Sequence, residues 1–236
     1  MTRTNPHDEA DLNRMFSRIA GKYDLMNDVI SLGTQKQWKK KLFQELDMKS
    51  GMDCLDICCG TGDLTIELAK RSGRTGRTIG LDFNQDMLNL AEQKVRSLDL
   101  SKDIELIQAD AMHLPFADDS FDVVTVGFGL RNVPDANQVL REITRVLKPG
   151  GQFATVEMSQ PTSPVVKVGW KAYFKVFPRL AQVFGANVSD YKYLKETAEH
   201  FVSAQELLQM MKKVGLHNCY YRKLNLGAGA LHIGRK

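Results

Sequence analysis

Asp53-Cys54-Leu55-Asp56-Ile57-Cys58-Cys59-Gly60-Thr61-Gly62-Asp63-Leu64 sets a short apolar run directly against a glycine turn, and helical spacing follows it through Lys70. A strand that enters a helix through such a turn lets backbone approach a ligand closely, because glycine has no Cβ and tolerates positive φ. A lone G-x-G also fits an ordinary strand-to-helix turn, so the neighbouring elements must carry the argument. Asp82 ends the next apolar run in Gly80-Leu81-Asp82, where two carboxylate oxygens can accept both hydroxyls of a ribose. Asp110 ends the run after that, in Gln108-Ala109-Asp110-Ala111, where it can accept from an adenine amino group.

A nicotinamide dinucleotide site would need a third glycine at position 65, and Thr65 stands there. No Lys-Ser/Thr pair follows the loop either, whereas the acids Asp56 and Asp63 flank it. That balance repels a pyrophosphate and suits a ligand bearing an ammonium and a sulfonium, which is the chemistry of S-adenosylmethionine. Asp56 serving only as a strand-end or capping acid remains the alternative.

Outward from this turn, apolar runs at 54–58, 78–81, 104–108, 123–126 and 152–157 alternate with helical stretches at 64–70, 87–97 and 136–147. Near-continuous apolar strands separated by helices form a parallel sheet covered on both faces, and right-handed crossovers make it doubly wound and Rossmann-like, an α/β fold. Lys148-Pro149-Gly150-Gly151 predicts a helix stop and a tight turn into the next strand. A helix at 204–214 and a hairpin of strands at 217–224 and 229–234 give the sheet an antiparallel C-terminal end.

Before the core, apolar spacing over 8–43 predicts a helical N-terminal extension. The chain thus reads as one domain: extension 1–45, core 50–157 and 202–236, and an aromatic-rich insertion 158–201 on the substrate side. In the insertion, Trp170 and Phe174 share a helical face flanked by Lys167, Lys171 and Lys175, up to Pro178. Such a basic amphipathic helix suits an anionic bilayer surface, and a core-packing face with solvated lysines is the alternative.

The chain has 236 residues, 43% hydrophobic and 25% charged, the balance of a folded globular protein. A net charge of +4 is too small to imply nucleic acid. The polar N-terminus lacks an apolar signal core, and no run approaches the ~20 apolar residues of a spanning helix. The expectation is a cytoplasmic protein, at most peripheral at the inner face of the membrane, with a homodimer left open. Cys54, Cys58, Cys59 and Cys219 form no C-x-x-C pair and read as packing residues, with no metal site expected.

The acid before G-x-G, the ribose acid, Asp110-Ala111 and the Phe121-Asp122-Val123-Val124 strand resemble, in order, the motif series of class I S-adenosylmethionine-dependent methyltransferases. By that resemblance Asp56, Gly60, Thr61, Gly62, Asp82, Asp110, Ala111 and Gly127 belong to the cofactor site. Tyr23-Asp24-Leu25-Met26-Asn27-Asp28-Val29-Ile30-Ser31, ending at Trp38, resembles one signature of the ubiquinone and menaquinone biosynthesis C-methyltransferases. Arg145-Val146-Leu147-Lys148-Pro149-Gly150-Gly151, running on through Val156-Glu157-Met158-Ser159, resembles a second. The likeness spans nearly the whole chain and includes Phe128-Gly129-Leu130-Arg131-Asn132-Val133.

The resemblance implies methylation of a ring carbon of a reduced polyprenylated quinone, demethylmenaquinol to menaquinol foremost. A ubiquinone-pathway benzoquinol, another phenolic or lipid substrate, or a non-catalytic binding role are the alternatives. Arg131 and Asn132, at the carboxyl edge of the sheet, and Tyr23 are the candidate catalytic residues, with Arg131 steadying a developing phenolate rather than accepting a proton. Arg131 pairing with a nearby acid such as Asp135 is the competing reading. Where the first signature carries a histidine, this chain has Gln35, which cannot act as a general base.

Overall fold

The computed structural model describes residues 5, 8–31, 33–161, 163, 168–169, 193, 196–197 and 200–236. The N-terminal extension forms α1 (Glu9–Ile19), a short 3-10 turn (Ala20–Lys22), α2 (Tyr23–Ile30) and α3 (Thr34–Glu45). The core then alternates as β1 (Cys54–Ile57), α4 (Asp63–Ser72), β2 (Thr78–Asp82), α5 (Gln85–Ser97), β3 (Ile104–Gln108), β4 (Phe121–Gly127), α6 (Ala136–Val146) and β5 (Leu147–Met158). It closes with α7 (Ala204–Lys213) and the strands β6 (His217–Leu224) and β7 (Gly229–Arg235).

These strands make one seven-stranded sheet in the order β3-β2-β1-β4-β5-β7-β6. The first five run parallel, and β7 runs antiparallel to both β5 and β6, as the C-terminal hairpin predicted. The order reverses direction between β1 and β4, the switch point where open α/β sheets place a ligand crevice at the strands' carboxyl ends. Side chains alternate across the sheet as the pleat requires. Val124 and Phe153 face a core built with Leu140, Ile143 and Met211 of α6 and α7, while Val123 and Ala154 face one built with Trp38, Leu42 and Leu68 of α3 and α4.

One boundary differs from expectation. Leu147 already pairs with Phe121 before the Lys-Pro-Gly-Gly turn, and the register then jumps to Val123↔Gln152. Lys148 to Gly151 therefore loop out of a strand that has begun, and Gly150, at φ +81, takes the left-handed conformation this requires. The basic aromatic helix expected around Lys167, Trp170, Lys171, Phe174 and Lys175 lies outside the described residues. No described helix is long and apolar enough to cross a membrane.

The extension is tied to the core by packing and by polar clamps. The Trp38 ring is buried at 6.2 Å from the Phe128 ring, in space that exists because residue 229 is glycine: a Cβ there would lie 2.5 Å from the indole. Asn84 caps α5 by accepting from the Met87 amide at 2.9 Å, and its own amide donates to the Asn13 carbonyl at 3.0 Å and the Ser17 hydroxyl at 2.9 Å. One side chain thus ends the β2 turn, starts a helix and holds α1 across the crevice.

Candidate active site

At the switch point lies a cleft with two lobes that share Tyr23, Cys58, Gly60, Gly127 and Phe128. The larger lobe encloses about 840 Å³ of space that opens to solvent. Asp82, Asp110 and Ala111 line it, as does Asn132, and α1 covers it with Leu12 and Phe16. Asp56, Thr61, Asp63, Asp24 and Lys39 line the smaller lobe.

The Asp82 carboxylate is pinned from below. One oxygen accepts from the Gly60 amide at 2.7 Å and the other from the Asn84 amide at 2.9 Å, which ties the glycine turn to β2. Burial pushes its pKa up, and these backbone donors pull against that. Asp110 accepts from the Met112 amide at 2.8 Å and lies 3.1 Å from His113 Nδ1, half exposed at the rim.

Asp56 is 1% exposed at the end of β1 and accepts from the Thr65 hydroxyl at 2.7 Å and the Thr125 hydroxyl at 2.8 Å. Burial pushes its pKa up to about 7, against those two hydroxyl donors. Thr65, the residue that broke the dinucleotide pattern, is thus the partner of the site's deepest acid. Gly80 makes the room, since a Cβ on it would lie 3.0 Å from the Thr65 side chain. Gly62 opens α4 at φ +84 and packs against Ala91 of α5, lining neither lobe, so its place is in shaping the turn.

Thr61 donates to Asp24 at 2.6 Å and accepts from Lys94 at 2.8 Å, joining the turn to α2 and α5. Burial works to raise the Asp63 pKa, but Lys39 and Lys94 on its two oxygens hold it below the ordinary range. Among the described residues, carboxylates, hydroxyls and backbone donors, with Lys39 as the one basic side chain in the lining, form a set that fits an adenosyl amino acid with a cationic sulfur. They do not fit a pyrophosphate.

Beyond β4, Arg131 and Asn132 part company. Asn132 lines the larger lobe, its amide donating to the Phe128 carbonyl at 3.1 Å and its oxygen accepting from the Tyr193 hydroxyl at 2.9 Å. Arg131 lines neither lobe. It is 6% exposed and donates to Glu157 of β5 at 2.7 Å, with its Cζ 5.7 Å from the Phe128 ring. This corrects the expected partner: Asp135 instead caps α6, accepting from the Asn137 and Gln138 amides. Arg131 Nε has no hydrogen-bond partner among the described residues, so a buried donor is unspent.

Tyr23 lies in both lobes. Burial raises its pKa above the ordinary phenol value, with the Arg131 charge and an Asn27 hydrogen bond opposing, so the hydroxyl is protonated at neutral pH. Gln35 lines neither lobe: it is 5% exposed and donates to Asp28 at 2.9 Å where α2 meets α3. The histidine-to-glutamine departure therefore falls away from the cleft walls.

Sequence reasoning missed Phe83, Cys58 and Phe128. Phe83 follows the ribose acid, lines the larger lobe and is 45% exposed. Cys58 and Phe128 both hold positive φ, at 55° and 59°, where non-glycine residues are strained. They directly follow the paired strands β1 and β4, and both line the two lobes. Cys58 is therefore more than a packing residue, and burial with nearby acids keeps its thiol protonated.

A family model described as the ubiE/COQ5 methyltransferase family matches residues 4–236 of the chain. The chain is 58% identical over 236 residues, 100% of its own length and 97% of the relative's, to a protein of Lactobacillus johnsonii named demethylmenaquinone methyltransferase. It is 47% identical over 223 residues, 94% of each chain, to a protein of that name from Lactiplantibacillus plantarum. In shape it is similar to a solved SAM-dependent methyltransferase from Aquifex aeolicus, with TM-score 0.62 and 19% identity over 84% of this chain and 88% of that one. At that identity the likeness concerns the fold alone.

Proposed function

The chain belongs to the ubiE/COQ5 methyltransferase family, and on that premise we propose that it methylates a ring carbon of demethylmenaquinol to give menaquinol. It is a methyltransferase that uses S-adenosylmethionine. The observation that carries the choice of substrate is the 58% identity, over 100% of this chain, to a relative bearing the name demethylmenaquinone methyltransferase. The experiment is product analysis by mass spectrometry with methyl-labelled cofactor and a panel of naphthoquinols, benzoquinols and simple phenols. Labelled menaquinol as the main product supports the reading, and a methylated benzoquinol or no product overturns it.

When bound, the cofactor supplies an electrophilic methyl group on a cationic sulfur. In this reading Asp82 accepts the ribose hydroxyls, Asp110 and the Ala111 backbone hold the adenine, and Phe83 lies along its face. Gly60, Thr61 and Gly127 shape the turn around the amino-acid end, and Asp56 supplies negative charge beneath it. The quinol enters between α1 and Phe128. Its ring becomes nucleophilic at carbon when a hydroxyl gives its proton to solvent. Once that carbon carries the methyl it loses its own proton as the oxygen regains one, so that one proton in all passes to solvent. Tyr23, being protonated, can donate to that oxygen while it is negative.

From behind the Phe128 ring Arg131 adds positive charge that steadies the developing phenolate, and its unspent Nε is a donor for a water between it and the cleft. Asn132 is held for the same task by Phe128 and Tyr193. Holding the carbon in line with the methyl group is worth up to ~7–11 kcal/mol in favourable cases. The 158–201 insertion, with Lys167, Trp170, Lys171, Phe174 and Lys175, is proposed to rest on the anionic membrane that holds the prenyl tail. Co-sedimentation with anionic vesicles, wild type against Lys→Glu at 167, 171 and 175, tests that contact, and equal binding by both removes it.

The titration of Asp56 gives a pH signature. Below about pH 7 its carboxyl is protonated in the cofactor-free protein, and the cationic end of the cofactor lacks this one charge beneath it. Binding then releases a proton, so affinity for S-adenosylhomocysteine should tighten as pH rises, by up to about tenfold per unit, and level off above about 7. For folding the sign is opposite. The folded state keeps this proton longer than the unfolded chain, so the stability Asp56 contributes is present below about pH 4 and is lost as pH rises toward about 7. Calorimetric titration across that range, in buffers of differing ionisation heat, reads both the affinity and the proton. Asp56→Asn should flatten the profile, and a flat wild-type profile would remove Asp56 from the cofactor lobe.

A further inference from the structure

S-adenosylmethionine ends in an amino acid whose carboxylate carries a full negative charge, and taking it out of water requires a cation or several donors. The cleft is otherwise acidic: Glu9, Asp82 and Asp110 line one lobe, and Asp24, Asp56 and Asp63 line the other. Among the described residues lining either lobe, Lys39 is the one lysine or arginine.

Lys39 stands on α3 directly after Trp38, whose buried ring fixes the helix against Phe128 at the cleft wall. Its side chain is 19% exposed and its Nζ lies 2.7 Å from Asp63 Oδ2, which spends one donor. Asp63 does not depend on it, because Lys94 Nζ holds the other oxygen at 2.9 Å. Lys94 is itself committed, with its donors on Asp63, on Asp24 and on the Thr61 hydroxyl. One acid bracketed by two lysines lets one of them leave without stranding a charge.

Resting on the reading that the smaller lobe takes the amino-acid end of the cofactor, we propose that Lys39 is the counter-cation of the cofactor's carboxylate. It turns from Asp63 toward the ligand while Lys94 keeps Asp63 neutralised. The same residue then gives selectivity: a ligand with the adenosine, sulfonium and ammonium but no carboxylate leaves Lys39 nothing to gain.

The test compares S-adenosylmethionine with decarboxylated S-adenosylmethionine, which lacks only that group, by calorimetric titration of wild type and Lys39→Met. Wild type should prefer the carboxylate-bearing ligand by about tenfold to a hundredfold, the range of a hydrogen bond between charged groups. In Lys39→Met that preference should collapse to less than about threefold, through loss of affinity for S-adenosylmethionine alone. If Lys39→Met weakens both ligands equally, or leaves the preference intact, the assignment is overturned. Lys39→Gln carries the same comparison should the methionine variant fail to fold. A wild type that binds neither ligand would instead defeat the cofactor reading itself, so the two failures are distinguishable.

Discussion

Asp82→Ala is expected to weaken S-adenosylhomocysteine binding by about a hundredfold to ten-thousandfold and to silence turnover at ordinary cofactor concentrations. Two hydrogen bonds from ribose hydroxyls to one carboxylate, at about 1.5–3 kcal/mol each, sum to roughly 3–6 kcal/mol. The same carboxylate holds the Gly60 and Asn84 amides, so its removal also releases the glycine turn that shapes the lobe. Asp82→Asn keeps one acceptor oxygen but turns a donor toward one of those amides, and its loss should fall between wild type and alanine. Calorimetric titration gives the affinities and a melting curve shows that the variants fold. An alanine variant with wild-type affinity would mean that the ribose is not held on β2.

The second large effect concerns Arg131 and Glu157, a buried pair 2.7 Å apart joining the end of β4 to β5. Removing one partner of such a pair strands the other charge, so Arg131→Ala and Glu157→Ala should each lose about 3–5 kcal/mol of stability. At this chain length that is roughly 6–20 °C in Tm. The double variant Arg131→Leu/Glu157→Leu, which strands nothing, should recover most of the loss, because buried ion pairs seldom outperform a packed apolar substitute.

Turnover should separate scaffold from chemistry. If the Arg131 charge steadies the phenolate, the double variant should fold and bind S-adenosylhomocysteine normally while its kcat is lower by about a hundredfold to a thousandfold. A double variant that regains both stability and turnover would reduce Arg131 to a strut between two strands. Glu157 acts through Arg131 in this scheme and is a positioning residue. Glu157→Gln, which keeps a hydrogen-bond acceptor without the charge, should lower kcat more than it raises KM.

The cleft illustrates how far residue order reaches. Gly60, Asp82 and Asp110 were legible because each ends a strand of a parallel sheet, and parallel strands bring their carboxyl ends to one edge whatever lies between them. Thr65 was legible only as a missing glycine. Its work is to bond Asp56 through the gap that Gly80 leaves, a meeting of three elements that no local pattern contains. Glu157 falls within one of the two signatures, but its pairing with Arg131 depends on β4 and β5 being neighbours, while Asp135, nearer in the chain, is used up capping α6.

What residue order alone determined is the alternation of strand and helix, the switch point and the acids along it. Those follow from the two-residue and 3.6-residue periodicities and from glycine at the turn, all of them local properties of the backbone. What only the tertiary structure decided is which charges meet: Arg131 with Glu157, Lys39 and Lys94 with Asp63, Tyr193 with Asn132. Ion pairs and hydrogen bonds act over a few ångströms and between groups far apart in the chain, so they come into being only when packing has closed the distance.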